Sequence, residues 1–295
     1  MSILKKGVLM AASVLIATLG VAQATQAGTL HNGWNYGIDA FGDGSGGSVY
    51  DIKGLAIKET SDSIFVAITG GMALTGNSYA GAEDGNIGFG DLFFNFTDSD
   101  FQTASEQSNL FGVRFAGTND SGASQVGVYA NVSAESVTQD NAGYSSLKRY
   151  YTIGNGKFDR ENTMGTDLAT KEEVYSYFAS NTTGENTEIL NVIKAGTGNY
   201  LGGLESLDSS QMSNEGLDFG YFNANGTKTV GFKFDRSLLP GGDFFANLFV
   251  ECGNDGVAIS GHLQDVPEPS VMVSLALVGL VFGGDRLRRM RKIVG

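Results

Sequence analysis

The sequence has few of the residues from which many enzyme and metal sites are built: one cysteine and two histidines in 295 residues. A single cysteine excludes an intrachain disulfide, and the apolar surroundings of Cys252 in NLFVECGND predict a buried thiol. Structural zinc sites use cysteine and histidine ligands, so their scarcity argues against such a site. A Ser-His-Asp triad would need His31 or His262, and we predict that both lie in mobile ends of the mature domain.

Basic residues are also scarce, with 19 Lys and Arg against 32 Asp and Glu. Two of the basic residues fall in the first 27 positions and five in the last 30, while the last 30 positions hold two of the acidic ones. Residues 28–265 therefore carry 12 basic and 30 acidic side chains, a net charge of −18. A field of that sign repels phosphate backbones and excludes nucleic acid as a partner, and it attracts cations.

Proline is rare and glycine is abundant: the chain has three prolines and 43 glycines. Glycine together with Asn, Asp and Ser predicts many tight turns. Between these turns lie strand-like segments at 63–69, 91–97, 110–116 and 125–134, which alternate apolar and polar residues or are short and aromatic-rich. We predict a mainly β fold in which residues 28–265 form one Gly-rich antiparallel β-sandwich domain.

Three turn signals predict β-hairpins. Asn225-Gly226 lies between alternating segments in LDFGYFNANGTKTVGFKFD, and Asn-Gly readily takes the positive φ angles of a two-residue turn. Asn155-Gly156 predicts a second hairpin between RYYTI and KFDR. Residues 253–256 predict a turn between the last two strands of the domain.

One segment predicts a short helical insertion. Thr170 followed by Glu173 is the pattern of a capping box, and Val174, Tyr175 and Phe178 fall on one helical face, so we predict a helix over 171–179. Residues 186–196 fit a helix or a strand equally well.

The N-terminus has the order of a secretory signal peptide. Two lysines precede an apolar run and then the small residues of VAQATQAG, as in MSILKKGVLMAASVLIATLGVAQATQAG. A membrane anchor is the alternative, but the run is short for a span. We predict a signal helix in residues 1–27 and cleavage by signal peptidase between Ala27 and Gly28.

The C-terminus combines three unlike parts in DVPEPSVMVSLALVGLVFGGDRLRRMRK. Pro267 and Pro269 hold the backbone around Glu268 extended. Residues 270–284 predict a short transmembrane helix, below the ~20 residues that a stable span prefers. The basic cluster stays cytoplasmic by the positive-inside rule and consists of Arg286, Arg288, Arg289, Arg291 and Lys292. A permanent anchor and a removable sorting tail are both compatible with this order, and the short run and the hinge favour the tail.

Residues 266–292, from Val266 through Pro267, Glu268 and Pro269 to the basic cluster, resemble the bacterial PEP-CTERM sorting signal. The three residues that follow the cluster are a small departure from it. This resemblance implies processing by an exosortase, an inner-membrane intermediate, and final location at the cell surface or in the extracellular matrix. HNGWNYGIDAFGDGSGGSVYDIKGLAIKE and GAEDGNIGFGDLFFNF are similar to exosortase-dependent surface proteins of bacteria, including cyanobacteria, which implies no particular activity.

Two kinds of binding residue can be named. Asp84, Asn86 and Asp91 place oxygen ligands among flexible glycines and are calcium candidates, although they match no EF-hand loop. Aromatic rings could form stacking surfaces for extracellular polysaccharide or could fill the core; these are Trp34, Tyr36, Tyr150, Tyr151, Tyr221 and Phe222.

Three functions follow as hypotheses. The first is a non-enzymatic structural or interaction protein of the surface or matrix. The second is a lectin-like carbohydrate-binding domain, with or without calcium. The third is a secreted hydrolase, which would need a pair of carboxylates flanking a cleft.

Overall fold

The computed structural model describes residues 29–40, 45–155, 165–179, 181, 183–184 and 187–265. The predicted signal cleavage at Ala27 and Gly28, the hinge from Val266 to Pro269 and the basic cluster all lie outside these residues, as do the segments predicted to form the signal helix and the transmembrane helix. Within the part that is described, no helix is long and apolar enough to cross a membrane.

The fold is mainly β, as predicted, and the strands of the described ranges all pair in antiparallel fashion. The strands are β1 (Thr29–His31), β2 (Trp34–Ile38), β3 (Ile52–Glu59), β4 (Ser63–Gly70), β5 (Asn77–Ser78), β6 (Asn86–Ile87), β7 (Leu92–Asn95), β8 (Leu110–Arg114), β9 (Gly127–Val132), β10 (Ala134–Glu135), β11 (Val192–Ile193), β12 (Asn199–Gly202), β13 (Glu205–Leu207), β14 (Lys228–Asp235), β15 (Gly242–Phe249) and β16 (Gly256–Leu263). The first six-stranded sheet has the order β1-β2-β3-β4-β14-β13, and the second has the order β12-β9-β8-β7-β15-β16. β5 pairs with β6, and β10 pairs with β11.

Among the described residues, four short α-helices accompany the sheets: α1 (Phe101–Glu106), α2 (Leu147–Arg149), α3 (Lys171–Phe178) and α4 (Ser209–Asn214). The helix predicted at 171–179 is α3, and its capping box is present. Thr170 Oγ1 accepts from the Glu173 amide at 3.2 Å, and Glu173 Oε2 accepts from the Thr170 amide at 2.9 Å. Val174 and Phe178 are buried on the predicted face.

Apolar side chains on both faces of each sheet are buried. In β4, Ile64, Val66 and Ile68 join the core that the two sheets share, whereas Phe65 and Ala67 point the other way. The outer face of the first sheet packs against residues 207–224, which contain α4. The outer face of the second sheet packs against α1, α2 and α3. Both faces of the central strand β4 are covered, which accounts for the almost continuously apolar sequence of SIFVAIT.

The two sheets approach each other closely at β2 and β16. Asn35 Nδ2 donates to the Ser260 carbonyl at 2.7 Å. Gly37 is required at this contact, since a Cβ there would lie 2.7 Å from the Ala258 carbonyl oxygen. Asp167 Oδ2 accepts from the Ser260 amide at 2.7 Å, so the loop that carries Asp167 supplies a hydrogen-bond acceptor at the outer edge of β16.

The hairpin prediction at Asn225-Gly226 is wrong. The preceding segment is a 3₁₀ turn, Phe219–Phe222, and β14 pairs with β4 and β13. Gly226 instead allows the chain to approach β4, since a Cβ would lie 2.2 Å from the Gly70 nitrogen.

The other local predictions have mixed outcomes. The strand predicted at RYYTI is wrong, because Tyr150–Asn155 is a π-helical turn, and the partner strand predicted at KFDR lies outside the described residues. The final two strands are confirmed as β15 and β16. In the ambiguous stretch 186–196, the one regular element among the described residues is β11.

Candidate functional site

Asp91, one of the three calcium candidates, is a fully buried carboxylate directly before β7. Its Oδ1 accepts from Asn119 Nδ2 at 2.9 Å, and its Oδ2 accepts from Ser121 Oγ at 2.5 Å and from the Ile193 amide at 2.7 Å. Burial raises the pKa of Asp91, and these hydrogen bonds together with the Arg114 charge oppose the shift. Its oxygens therefore hold the loop around residue 120 against the second sheet.

Asp84 is exposed and Asn86 is half-buried, and the hydrogen bonds of their side chains do not involve Asp91. Asp84 Oδ1 accepts from the Asn86 amide at 2.8 Å, which closes a local turn, and Asn86 Nδ2 donates to the Thr75 carbonyl at 3.3 Å. Across the described ranges, no group of three or more His, Cys, Asp or Glu side chains is placed to hold a metal ion.

Glu251 is a buried acidic residue that the sequence analysis missed. It is 1 % exposed, and it accepts from the Gly88 amide and, at 2.5 Å, from the Asp120 amide. Burial raises the pKa of Glu251 to about 7, and the charges of Asp120 and Asp84 add to the shift. One carboxylate thus joins two loops to the β15–β16 turn. A glutamate inside the apolar stretch NLFVEC is the signal that could have revealed it.

Most of the aromatic candidates belong to the core. Trp34 is fully buried, and its Nε1 donates to the Glu215 carbonyl at 2.9 Å. The other members that are buried or half-buried are Tyr36, Tyr150, Tyr151 and Phe222. Tyr221 differs from all of these, because it is 64 % exposed.

Tyr221 is held in place by stacking and by hydrogen bonds. Its ring stacks on His31 with a centroid distance of 3.9 Å and an interplanar angle of 12°, and Phe222 contacts it edge-on at 4.9 Å. Asp218 Oδ1 accepts from the Tyr221 amide at 3.1 Å, while Asp218 Oδ2 lies 3.5 Å from His31 Nε2. The Asp218 amide donates to the Tyr36 hydroxyl at 2.8 Å, which anchors this group to β2. We call Tyr221, His31 and Asp218 the Tyr221 platform.

Both histidines lie in paired strands, so the prediction of mobile ends is wrong. His31 belongs to β1 and His262 to β16. His262 Nδ1 lies 2.7 Å from Asp243 Oδ1 on the neighbouring strand β15, and both side chains are exposed.

A polar cleft of about 590 Å³ lies between α1, β10 and the segment before β11. Glu106, Glu135 and Glu188 line it together with Lys194. Glu135 Oε1 accepts from the Ala195 amide at 3.0 Å, which orients that carboxylate. A second cleft, of about 280 Å³, is lined by Asp98, Asp100 and Glu173. A hydrolase that uses two carboxylates would have candidates in both clefts.

Comparisons with protein-family models, with curated proteins and with solved structures found no match.

Proposed function

We propose that this chain is an exported protein of the cell surface or extracellular matrix with a structural or interaction role and no catalytic one. Residues 1–27 direct its export, the two described sheets form a β-sandwich, and an exosortase processes its tail. The observation that carries the proposal is the order of parts in residues 266–292: the Pro-Glu-Pro hinge, the 15-residue apolar run and the basic cluster. Such a run is shorter than the ~20 apolar residues that a stable transmembrane helix needs.

A clasp at the end of the described domain supports a removable tail. The Arg236 guanidinium is buried, and it donates to the carbonyls of Leu239 at 2.7 Å, Pro240 at 3.3 Å and Gln264. It also pairs with the Glu59 carboxylate, whose two oxygens each accept from the Gln264 amide at 3.1 Å. The chain is therefore tied to β3 just before the hinge. Cleavage at the hinge would leave every described strand and helix in place.

The hinge can be tested by substitution in the native cells. Replacing Pro267 and Pro269 with alanine should keep the tail attached and the protein in the membrane fraction, because the extended recognition segment is lost. Pro240→Ala, at the remaining proline, is the matched control and should be processed like the wild type. If the double variant and the wild type both stayed in the membrane with the tail intact, the proposal of processing would be wrong.

A carbohydrate-binding domain is the second candidate, and the Tyr221 platform favours it. An exposed ring that is held rigid is the kind of surface on which sugars stack. The positions of Asp84, Asn86 and Asp91 give no support for a calcium requirement, since Asp91 is already hydrogen-bonded by protein donors.

A further inference from the structure

We propose that the Tyr221 platform binds one pyranose ring of a neutral polysaccharide, which stacks on the free face of Tyr221 and hydrogen-bonds to Asp218 and Asn225. This inference deepens the carbohydrate-binding candidate and rests on it.

The platform is preorganised for binding. His31 covers one face of the Tyr221 ring, and the 64 % exposure of the tyrosine leaves its other face toward solvent. Phe222 packs edge-on against the Tyr221 ring, and Asp218 accepts a hydrogen bond from the Tyr221 amide. A ring that is already ordered loses little conformational entropy when a ligand stacks on it.

Polar groups lie beside the ring, where the hydroxyls of a sugar would reach them. The Asp218 side chain is 48 % exposed. A Cβ built on Gly220 would lie 3.1 Å from Asp218 Oδ1 and 3.0 Å from Asn225 Nδ2, so both side chains flank the segment that carries Tyr221. A carboxylate accepts hydrogen bonds and an amide both donates and accepts them, which suits the hydroxyls at the edge of a pyranose. The apolar C–H face of the sugar would cover the aromatic ring.

The size and charge of the surface favour a neutral glycan over other occupants. Within residues 207–225, Tyr221 is the one large hydrophobic side chain that is exposed, and the polar side chains of Asn223 and Asn225, close to it in sequence, are exposed too. A stable protein interface buries roughly 800 Å² on each partner, far more than one ring offers. The net charge of −18 over residues 28–265 would repel an anionic polysaccharide.

The test is binding of the full-length protein to laminarin, cello-oligosaccharides and dextran, measured by affinity electrophoresis and calorimetry. Binding to at least one of these neutral glycans is expected. Tyr221→Ala should weaken it by about tenfold or more, because the stacking surface is lost. Tyr221→Phe keeps the ring and should stay within about twofold of the wild type. Tyr200→Ala, at a 44 % exposed tyrosine on β12, is the matched control and should change nothing.

Each other outcome overturns the proposal. The platform is wrong if the wild type binds none of the three glycans, or if Tyr221→Ala binds as tightly as Tyr200→Ala. Alginate, an anionic polysaccharide, is tested in the same way, and binding to alginate but to none of the neutral glycans would overturn the neutral ligand. Thermal unfolding of each variant shows whether a loss of binding comes from loss of the fold. None of these results bears on processing of the tail, which is read from the mass of the mature protein.

Discussion

Replacing Arg236 with methionine should lower the free energy of unfolding by about 3 kcal/mol. The side chain is 4 % exposed and its partner Glu59 is 20 % exposed, so methionine would leave a largely desolvated carboxylate without its cation. The buried Leu239 carbonyl would also lose its donor, which costs about 1–3 kcal/mol. The carbonyls of Pro240 and Gln264 belong to exposed residues and can be rehydrated, so they add little.

Urea unfolding of the full-length protein measures this change. Lys233→Met is the matched control, because it breaks an ion pair with Glu205 at 3.3 Å whose side chains are 31 % and 60 % exposed. Exposed pairs contribute about 0–1 kcal/mol. A double variant with Glu59→Gln should lose less than the sum of the two single changes, since they remove the same interaction. A loss for Arg236→Met no larger than that for Lys233→Met would refute the clasp.

Three further predictions concern the interior. Because the folded protein raises the pKa of Glu251 from 4.5 to about 7, the stability it contributes is fully present below pH 4.5 and is lost as the pH rises through 7, by on the order of 3 kcal/mol. Glu251→Gln should remove this part of the pH dependence in urea titrations at pH 4.5 and 8, and an unchanged pH profile would contradict the assignment. Gly37→Ala should cost about 1–3 kcal/mol because its Cβ meets Ala258, whereas Gly117→Ala, whose nearest neighbour would be 3.7 Å away, should be nearly neutral by thermal unfolding. Burial raises the pKa of Cys252 to about 12, so a thiol reagent should react with it only on unfolding, and rapid labelling of the native protein would show that it is accessible.

The sequence patterns that predicted the fold correctly are those whose structure is determined by residues close together in the sequence. The capping box at Thr170 and Glu173 specifies the start of α3 whatever surrounds it. The apolar segments of β4 and β15 are strands because their side chains fill cores on both faces. The hairpin predicted at Asn225-Gly226 is wrong because a glycine is also used where two backbones pack closely together. Gly226 packs against Gly70, which lies 156 positions earlier in the sequence.

The candidate sites depended more on tertiary contacts and were predicted less well. Asp91 has the composition of a calcium ligand, but Asn119, Ser121 and Ile193 come from separate segments to bind it. The role of Tyr221 depends on His31, which lies 190 positions away and is brought to it by β1. No pattern within a short window could have selected this ring from the other aromatic residues.

The intact mass of the protein recovered from the surface or medium of its native cells tests the proposed processing of the tail most directly. We expect a chain that begins near Gly28 and ends near Pro267–Pro269, without the arginine cluster, and any excess mass would report a group attached at the new end. A mass that runs through to Gly295 would show a permanent anchor and would contradict the proposed processing.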